Sequence, residues 1–363
     1  MSASPSLSRL ARALTSAARA GLLACALGGA LDVRVAAAQT LQGAGGDLSV
    51  AGPYAVDVLE FRTLVDEPRH RPVPIKLHLP RAVARHPVLV LSHGGGGHWD
   101  ANFAQVRHLA SHGYVVLALE HVGSNTEVMQ RSLRYMANLQ AMTRDAAEVL
   151  GRPKDVSFAI DQAMRWNAQH ESLRERFDLE HVGVLGHSFG AYTALVVAGA
   201  RPALDWLQPP VAPGRGLGPD LRDVRIQCGV ALSPQGPGEP FFIEASYASL
   251  KVPMLGISGS RDQQQQAEPQ NRRRGFELWP AGGKTLIWLN NADHTAFSDS
   301  SGSGRRMLPS RTRDDVQPLV RAATLAFFNG CLKNDPQSKA QLSEAALRGY
   351  LRGRVDAVEV SSR

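Results

Sequence analysis

Three side chains in the second half of the 363-residue chain have the types and the order needed for nucleophilic attack on a carbonyl: Ser188, Asp262 and His294. Ser188 stands in Gly186-His187-Ser188-Phe189-Gly190. An apolar run (Val182, Val184, Leu185) precedes it and an alanine-rich segment of helical character follows. That pattern predicts strand, sharp turn, helix. A turn so tight crowds the residues two before and two after its apex, so glycine is needed at both. The apex residue takes a strained backbone conformation and projects clear of the sheet. A G-x-S-x-G pattern alone is short enough to arise by chance, so the rest of the chain has to supply its partners. Serine at neutral pH is a poor nucleophile; it needs a base, an acid to orient that base, and donors for the oxyanion.

The chain order Ser, Asp, His fits such a set. "VPMLGISGSRDQQQQ" is an apolar strand running into a polar loop that holds Asp262, and "KTLIWLNNADHTAFSD" is a second strand followed by a loop with His294. Taken singly, Asp262 reads as a turn aspartate and His294 as a loop or helix-capping histidine. Together they lie just past strand ends, on the rim that carries Ser188. Glu239 and Glu244 are alternative acids, but they sit around Pro240 and two phenylalanines, in a segment that reads as a wall. The oxyanion donors are expected to be the amide of Phe189, which follows the nucleophile, and the amide of Gly95 in "VLVLSHGGGGHWD". That loop lacks the G-K-[ST] ending and the G-x-G-x-x-G spacing of phosphate cradles. His93 and His98 flank it, and His93 is expected to fix the loop by hydrogen bonds. Glu120 and His121 end a strand and read as buried support. His108 and His112 have a metal-compatible spacing, but no Glu follows His108, so neither a metal nor a cofactor is expected.

These residues need a scaffold that delivers strand ends to one rim. Short apolar runs bounded by turn residues alternate with helical patterns through the chain. That alternation predicts a mostly parallel sheet with helices on both faces. "YAVDVLEFRTLVD" and "VPIKLHLP" read as an early hairpin. "RPKDVSFAIDQAMRWNAQ" supplies a crossover helix with Pro153 at its start. "DDVQPLVRAATLAFFNGCL" is a late helix with Pro318 in its first turn. Residues 123–151 exceed what one crossover needs and follow a strand's carboxyl end, the ligand side of such sheets, so they are expected to form a cap over the site.

The first 38 residues differ in kind. Arg9, Arg12 and Arg19, an apolar run of about a dozen residues and an A-x-A site compose a secretory leader, with cleavage expected after Ala38. A mitochondrial presequence and a lipoprotein using Cys25 are the alternatives. The apolar run is too short for a lasting membrane anchor. Removing four arginines and one aspartate takes the formal charge from +7 to +4. "NRRRG" at 271–275 is the dense basic cluster; without interleaved aromatics it reads as a solvated surface, and no nucleic-acid partner is expected. The remaining cysteines, Cys228 and Cys331, could bridge in an oxidising compartment, and the sequence leaves their pairing open. The expected division is a leader over 1–38, a flexible Gly-rich segment over 39–53, one domain over 54–334 with its cap, and a partly helical tail over 335–363.

"LSHGGGG", "LASHGYVVLALEH" and "GHSFGAYTAL" together resemble the α/β-hydrolase superfamily, over roughly residues 55–330. More narrowly they resemble the serine hydrolases similar to dienelactone hydrolase and platelet-activating-factor acetylhydrolase; "RPKDVSFAIDQ" and "ALSP" add to the likeness. The resemblance implies an α/β-hydrolase fold: a mostly parallel eight-stranded sheet, helices on both faces and a helical cap insertion. Two departures stand out. Dienelactone hydrolases proper use a cysteine nucleophile, where this chain has Ser188. The acetylhydrolases carry their acid after the strand that follows the nucleophile, where this chain reads "VALSPQ" with Ser233. The expectation is a secreted or periplasmic esterase of small or medium carboxylic esters. A polyester or phospholipid hydrolase, an acyltransferase and a non-catalytic binding protein on the same fold are the alternatives, and the oligomeric state is left open.

Overall fold

A computed structural model describes residues 46–264, 267–299 and 309–363. The expected leader and residues 39–45 of the Gly-rich segment after it lie outside the described residues. The chain divides into two units, Met1–Gly46 and Asp47–Arg363, and the account below concerns the second.

Nine strands build its main sheet: β1 (Val56–Phe61), β2 (Ile75–Pro80), β3 (His86–Ser92), β4 (Val115–Leu119), β5 (Phe177–His187), β6 (Ile226–Leu232), β7 (Met254–Arg261), β8 (Lys284–Asp293) and β9 (Val358–Ser362). Their spatial order is β1-β2-β4-β3-β5-β6-β7-β8-β9. β3 through β8 run parallel, and β1, β2 and β9 pair antiparallel at the edges. The central strands are apolar nearly throughout because both faces are covered. Alternate side chains go to opposite layers. Leu89 and Leu91 of β3 pack with helices α1 (Phe103–Ser111) and α7 (Arg313–Leu332). Val88 and Val90 pack with α4 (Ala146–Gln169) and α5 (Phe189–Val197).

The sheet has one strand more than the eight expected. β9 lies in the tail, paired with β8 from Leu289↔Val358 to Thr285↔Ser362. It is short, and only Val358 of its residues is buried, so its apolar pattern is too faint to mark a strand. Two short helices, Ser338–Gln341 and Glu344–Arg348, supply the helical part of the tail.

The span 123–151 holds α2 (Thr126–Gln130), α3 (Tyr135–Arg144) and the first turns of α4. The crossover helix therefore starts earlier than Pro153. Its cap is Asp145, whose carboxylate accepts from the amides of Ala147 and Glu148. Pro153 sits inside the helix, where it cannot donate to the Val149 carbonyl four residues back. The Tyr192 hydroxyl donates to that carbonyl instead, at 2.9 Å. Pro318 likewise falls in the second turn of α7 rather than the first.

Cys228 of β6 and Cys331 of α7 form a disulfide across 103 residues, pinning the long C-terminal helix to the sheet. Closing a loop of that size constrains the unfolded chain, so Cys331→Ser is expected to lower the unfolding free energy by about 2–5 kcal/mol. Denaturant titration with and without reductant measures it. An unchanged midpoint, or free thiols in the unreduced native protein, would contradict the bridge.

Candidate active site

β5 ends at His187 and α5 begins at Phe189. Ser188 between them has φ 56° and ψ −117°, a region that a non-glycine residue rarely adopts. The flanking glycines are steric necessities. A Cβ on Gly186 would lie 2.2 Å from the Gly190 carbonyl oxygen, and one on Gly190 would lie 1.8 Å from that of Ser92. Ser188 thereby caps α5, and the Phe189 amide falls among the first-turn N–H groups that have no partner within a helix.

Asp262 follows β7 immediately and His294 follows β8. A bulge between Leu289 and Asp293 ends the β8 pairing, and a short 3-10 turn over His294–Phe297 starts under the Asp293 cap. These strand ends bring the expected residues together. His294 Nε2 is 3.0 Å from Ser188 Oγ, and His294 Nδ1 is 2.7 Å from Asp262 Oδ1. Ser258 Oγ donates to Asp262 Oδ2 at 2.7 Å. Burial would raise the Asp262 carboxyl, but the charge of Arg272 and the His294 ring hold it well below the usual carboxylate range. Burial pushes His294 below its ordinary value of 6.5, although Asp262 pulls the other way. At neutral pH the ring is uncharged. Its Nδ1–H faces the carboxylate and its Nε2 lone pair faces the serine hydroxyl, the arrangement of a general base.

Arg272 is the residue that sequence reasoning missed. The basic cluster at 271–275 reads as solvated, yet only Arg273 and Arg274 reach the surface, paired with Glu359 and Glu244. Arg272 is buried on the inner face of α6 (Pro269–Glu277) with Gly275 and Phe276. Its Nε donates to the Asp262 carbonyl at 2.8 Å, and its Nη1 donates to the carbonyls of Ser233 and Pro234 at 3.0 Å each. Nη2 lies 3.1 Å from Asp262 Oδ1 and 3.2 Å from His294 Nδ1. The signal was present in the helical spacing: Arg272, Gly275 and Phe276 fall on one face.

The glycine loop lies between the elbow and the cap. A Cβ on Gly94 would lie 3.6 Å from Ser188 Cβ, and one on Gly95 would lie 2.8 Å from Leu139 Cδ1 of α3. Gly96 and Gly97 donate to the carbonyls of Ser124 and Gly94, so their amides are already engaged. A cleft opens above Ser188 and His294, lined by Leu139 and Thr143 of the cap and by Phe189, Gln235, Phe241 and Gln264. Gln264 Oε1 is a second acceptor for the Ser188 hydroxyl, at 3.3 Å. Neither alternative acid approaches His294: Glu239 pairs with Arg144 of the cap, and Glu244 with Arg274. His112 is tied to the Val50 carbonyl, with the His108 ring against its edge. His187 Nε2 meets the His294 carbonyl at 3.0 Å, and burial takes that ring down to about 3.

Comparison with known proteins agrees with the fold. The sequence model described as the alpha/beta hydrolase family matches residues 89–359. Platelet-activating factor acetylhydrolase from Canis lupus familiaris is 23% identical over 251 residues, which is 60% of this chain and 49% of that protein. The chain thus spans about half the length of the curated relative it matches.

Proposed function

The chain belongs to the alpha/beta hydrolase family, and from that premise we propose that it is a hydrolase that cleaves carboxylic esters with Ser188 as nucleophile. The observation that carries the reading is the chain of contacts Ser188 Oγ, His294 Nε2, His294 Nδ1 and Asp262 Oδ1, at 3.0 and 2.7 Å, set on a strained elbow. His294 takes the hydroxyl proton as Ser188 Oγ bonds to the ester carbonyl carbon. The negative oxygen so formed is met by the amides of Phe189 and Gly95. Collapse breaks the bond to the alcohol, which leaves with the proton from His294. Water then gives a proton to His294, attacks the acyl-serine, and releases the acid and the free serine.

The cap favours small or medium esters. Leu139 and Thr143 narrow the cleft, and the Arg144–Glu239 pair ties the cap to the opposite wall, so a polymer chain has little room. The acetylhydrolase likeness brings phospholipid esters in as the alternative. Export to an oxidising compartment belongs to the same proposal, supported by the Cys228–Cys331 bridge and the expected leader.

The test is labelling of Ser188 by a fluorophosphonate, followed by turnover of p-nitrophenyl esters of rising acyl length beside an oxidised phospholipid and a polyester film. No labelling would leave a binding protein on a hydrolase fold. Labelling with faster transfer to an added alcohol than to water would make it an acyltransferase. The pH profile is a second expectation. His294 must be neutral to accept the proton, so kcat/KM rises as pH climbs through its pKa. Because burial holds that pKa down, the acid limb should have its midpoint below 6.5. A midpoint above 6.5 with a neutral ester would mean that the pull of Asp262 outweighs burial at His294.

A further inference from the structure

A second Ser–His–Asp chain lies behind the glycine loop. Ser92 Oγ is 2.9 Å from His121 Nε2, and His121 Nδ1 is 2.8 Å from Asp155 Oδ2. All three residues are 0% exposed, so no substrate reaches them. Asp155 pairs with Arg71 and Arg69, both at 2.8 Å. The carboxylate accepts a hydrogen bond from His121 Nδ1–H, and the Ser92 hydroxyl donates to Nε2. The ring is clamped at both ends.

The clamp acts on the loop through His93. The backbone N–H of His121 donates to His93 Nε2 at 3.1 Å, so that nitrogen carries no proton and Nδ1 does. Nδ1–H then donates to the Gly94 carbonyl at 2.7 Å. The other tautomer would set an N–H against an N–H at one end and two lone pairs against each other at the opposite end. Gly97 N–H donates to the same carbonyl at 3.0 Å. The Gly94–Gly95 peptide is trans and planar, so fixing the Gly94 oxygen fixes the Gly95 N–H in the opposite direction. Arg152, fully buried beside the Phe189 ring, also donates to the His93 carbonyl.

We propose that His93 is a positioning residue for acyl transfer: with Nε2 bonded by the His121 backbone N–H and Nδ1–H on the Gly94 carbonyl, it sets the direction of the Gly95 amide that meets the oxyanion, and the His121 ring, clamped by Ser92 and Asp155, holds that backbone N–H in place. This rests on the esterase reading above. Gly95 carries glycine's freedom to flip, and a flipped peptide would turn the Gly94 carbonyl oxygen toward the developing negative charge.

His121→Leu should fold and lower kcat roughly 10- to 100-fold, the scale of a misplaced catalytic group, with KM changed by less than about threefold. His93→Leu should match it. His93→Asn, whose amide nitrogen falls near the Nδ1 position, should recover much of the loss, which repair of packing alone would not explain. Imidazole 15N–1H spectra give a readout independent of activity. In the parent, His93 should show a slowly exchanging Nδ1–H, identified by its absence in His93→Leu and exchanging faster in His121→Leu, where the backbone N–H is no longer held by a clamped ring. Turnover within about twofold of the parent, with that exchange unchanged, would overturn the inference. Should His121→Leu fail to fold, Ser92→Ala removes one end of the clamp at no cost in ring volume, and unchanged turnover and resonance there would overturn it equally. If the parent hydrolyses no ester, the functional reading falls, and the resonance alone decides the positioning role.

Discussion

Ser188→Ala is expected to abolish ester turnover, by on the order of a million-fold, while the protein folds as the parent does. The substitution keeps the Cβ and the positive φ of 56°, so the strain of the elbow is unchanged. What it removes is one oxygen that accepts no covalent neighbour in the resting protein and bonds only to His294 and Gln264. His294 could then only activate a water, without an acyl intermediate, and the residual rate would come from the oxyanion donors and from binding. Turnover of a p-nitrophenyl ester beside a thermal unfolding curve measures both halves. Activity within about tenfold of the parent would mean that Ser188 is not the nucleophile.

Asp262→Asn is expected to lower turnover by roughly four orders of magnitude, because the base loses its orienting charge. The surroundings make the loss worse than a lost hydrogen bond. Arg272 lies 3.1 Å from the carboxylate and is itself buried, so the neutral amide leaves a cation without its anion. Breaking a buried pair from one side costs about 3–5 kcal/mol, so the variant should also melt early. A positive ring at His294 would then form next to an uncompensated guanidinium. Glu239→Gln and Glu244→Gln serve as the comparison and should each cost less than about tenfold, the level of a small positional disturbance. If a glutamine variant fell by thousands while Asp262→Asn stayed active, the acid would have to be reassigned.

The elbow was legible because its requirements are steric and local: two glycines about an apex, a strand before and a helix after. Asp262 and His294 were legible because parallel strands deliver their ends to one rim, and the sequence marks where each apolar run stops. What escaped reading depends on the third dimension. Arg272 carries a charge that a linear pattern assigns to solvent, and only the helix face shared with Gly275 and Phe276 turns it inward. Ser92, His121 and Asp155 come from three elements, and nothing local joins them; His121 was expected to be buried support, without its partners. β9 has too few buried residues to announce itself. Pro153 reads as a helix start because its cost in a helix interior is real, and Tyr192, some forty positions away, is what meets it. The pairing of Cys228 with Cys331 required knowing that α7 lies against β6.

The Arg272–Asp262 pair also sets how charge is conserved during a reaction cycle. At rest the His294 ring is flanked by one cation, Arg272, and one anion, Asp262, and the ring itself adds nothing. When Ser188 gives up its proton, a positive ring and a negative carbonyl oxygen appear together, so the enclosed sum stays at zero from substrate to product. Electroneutrality of that kind is fragile toward substrates that bring their own charge. The guanidinium that could answer an added anion is already turned to Asp262 and to the carbonyls of Ser233 and Pro234. Under the proposed esterase reading, Arg272 is therefore no partner for a carboxylate or phosphate on the substrate, because the charge that steadies the acid is already committed to it.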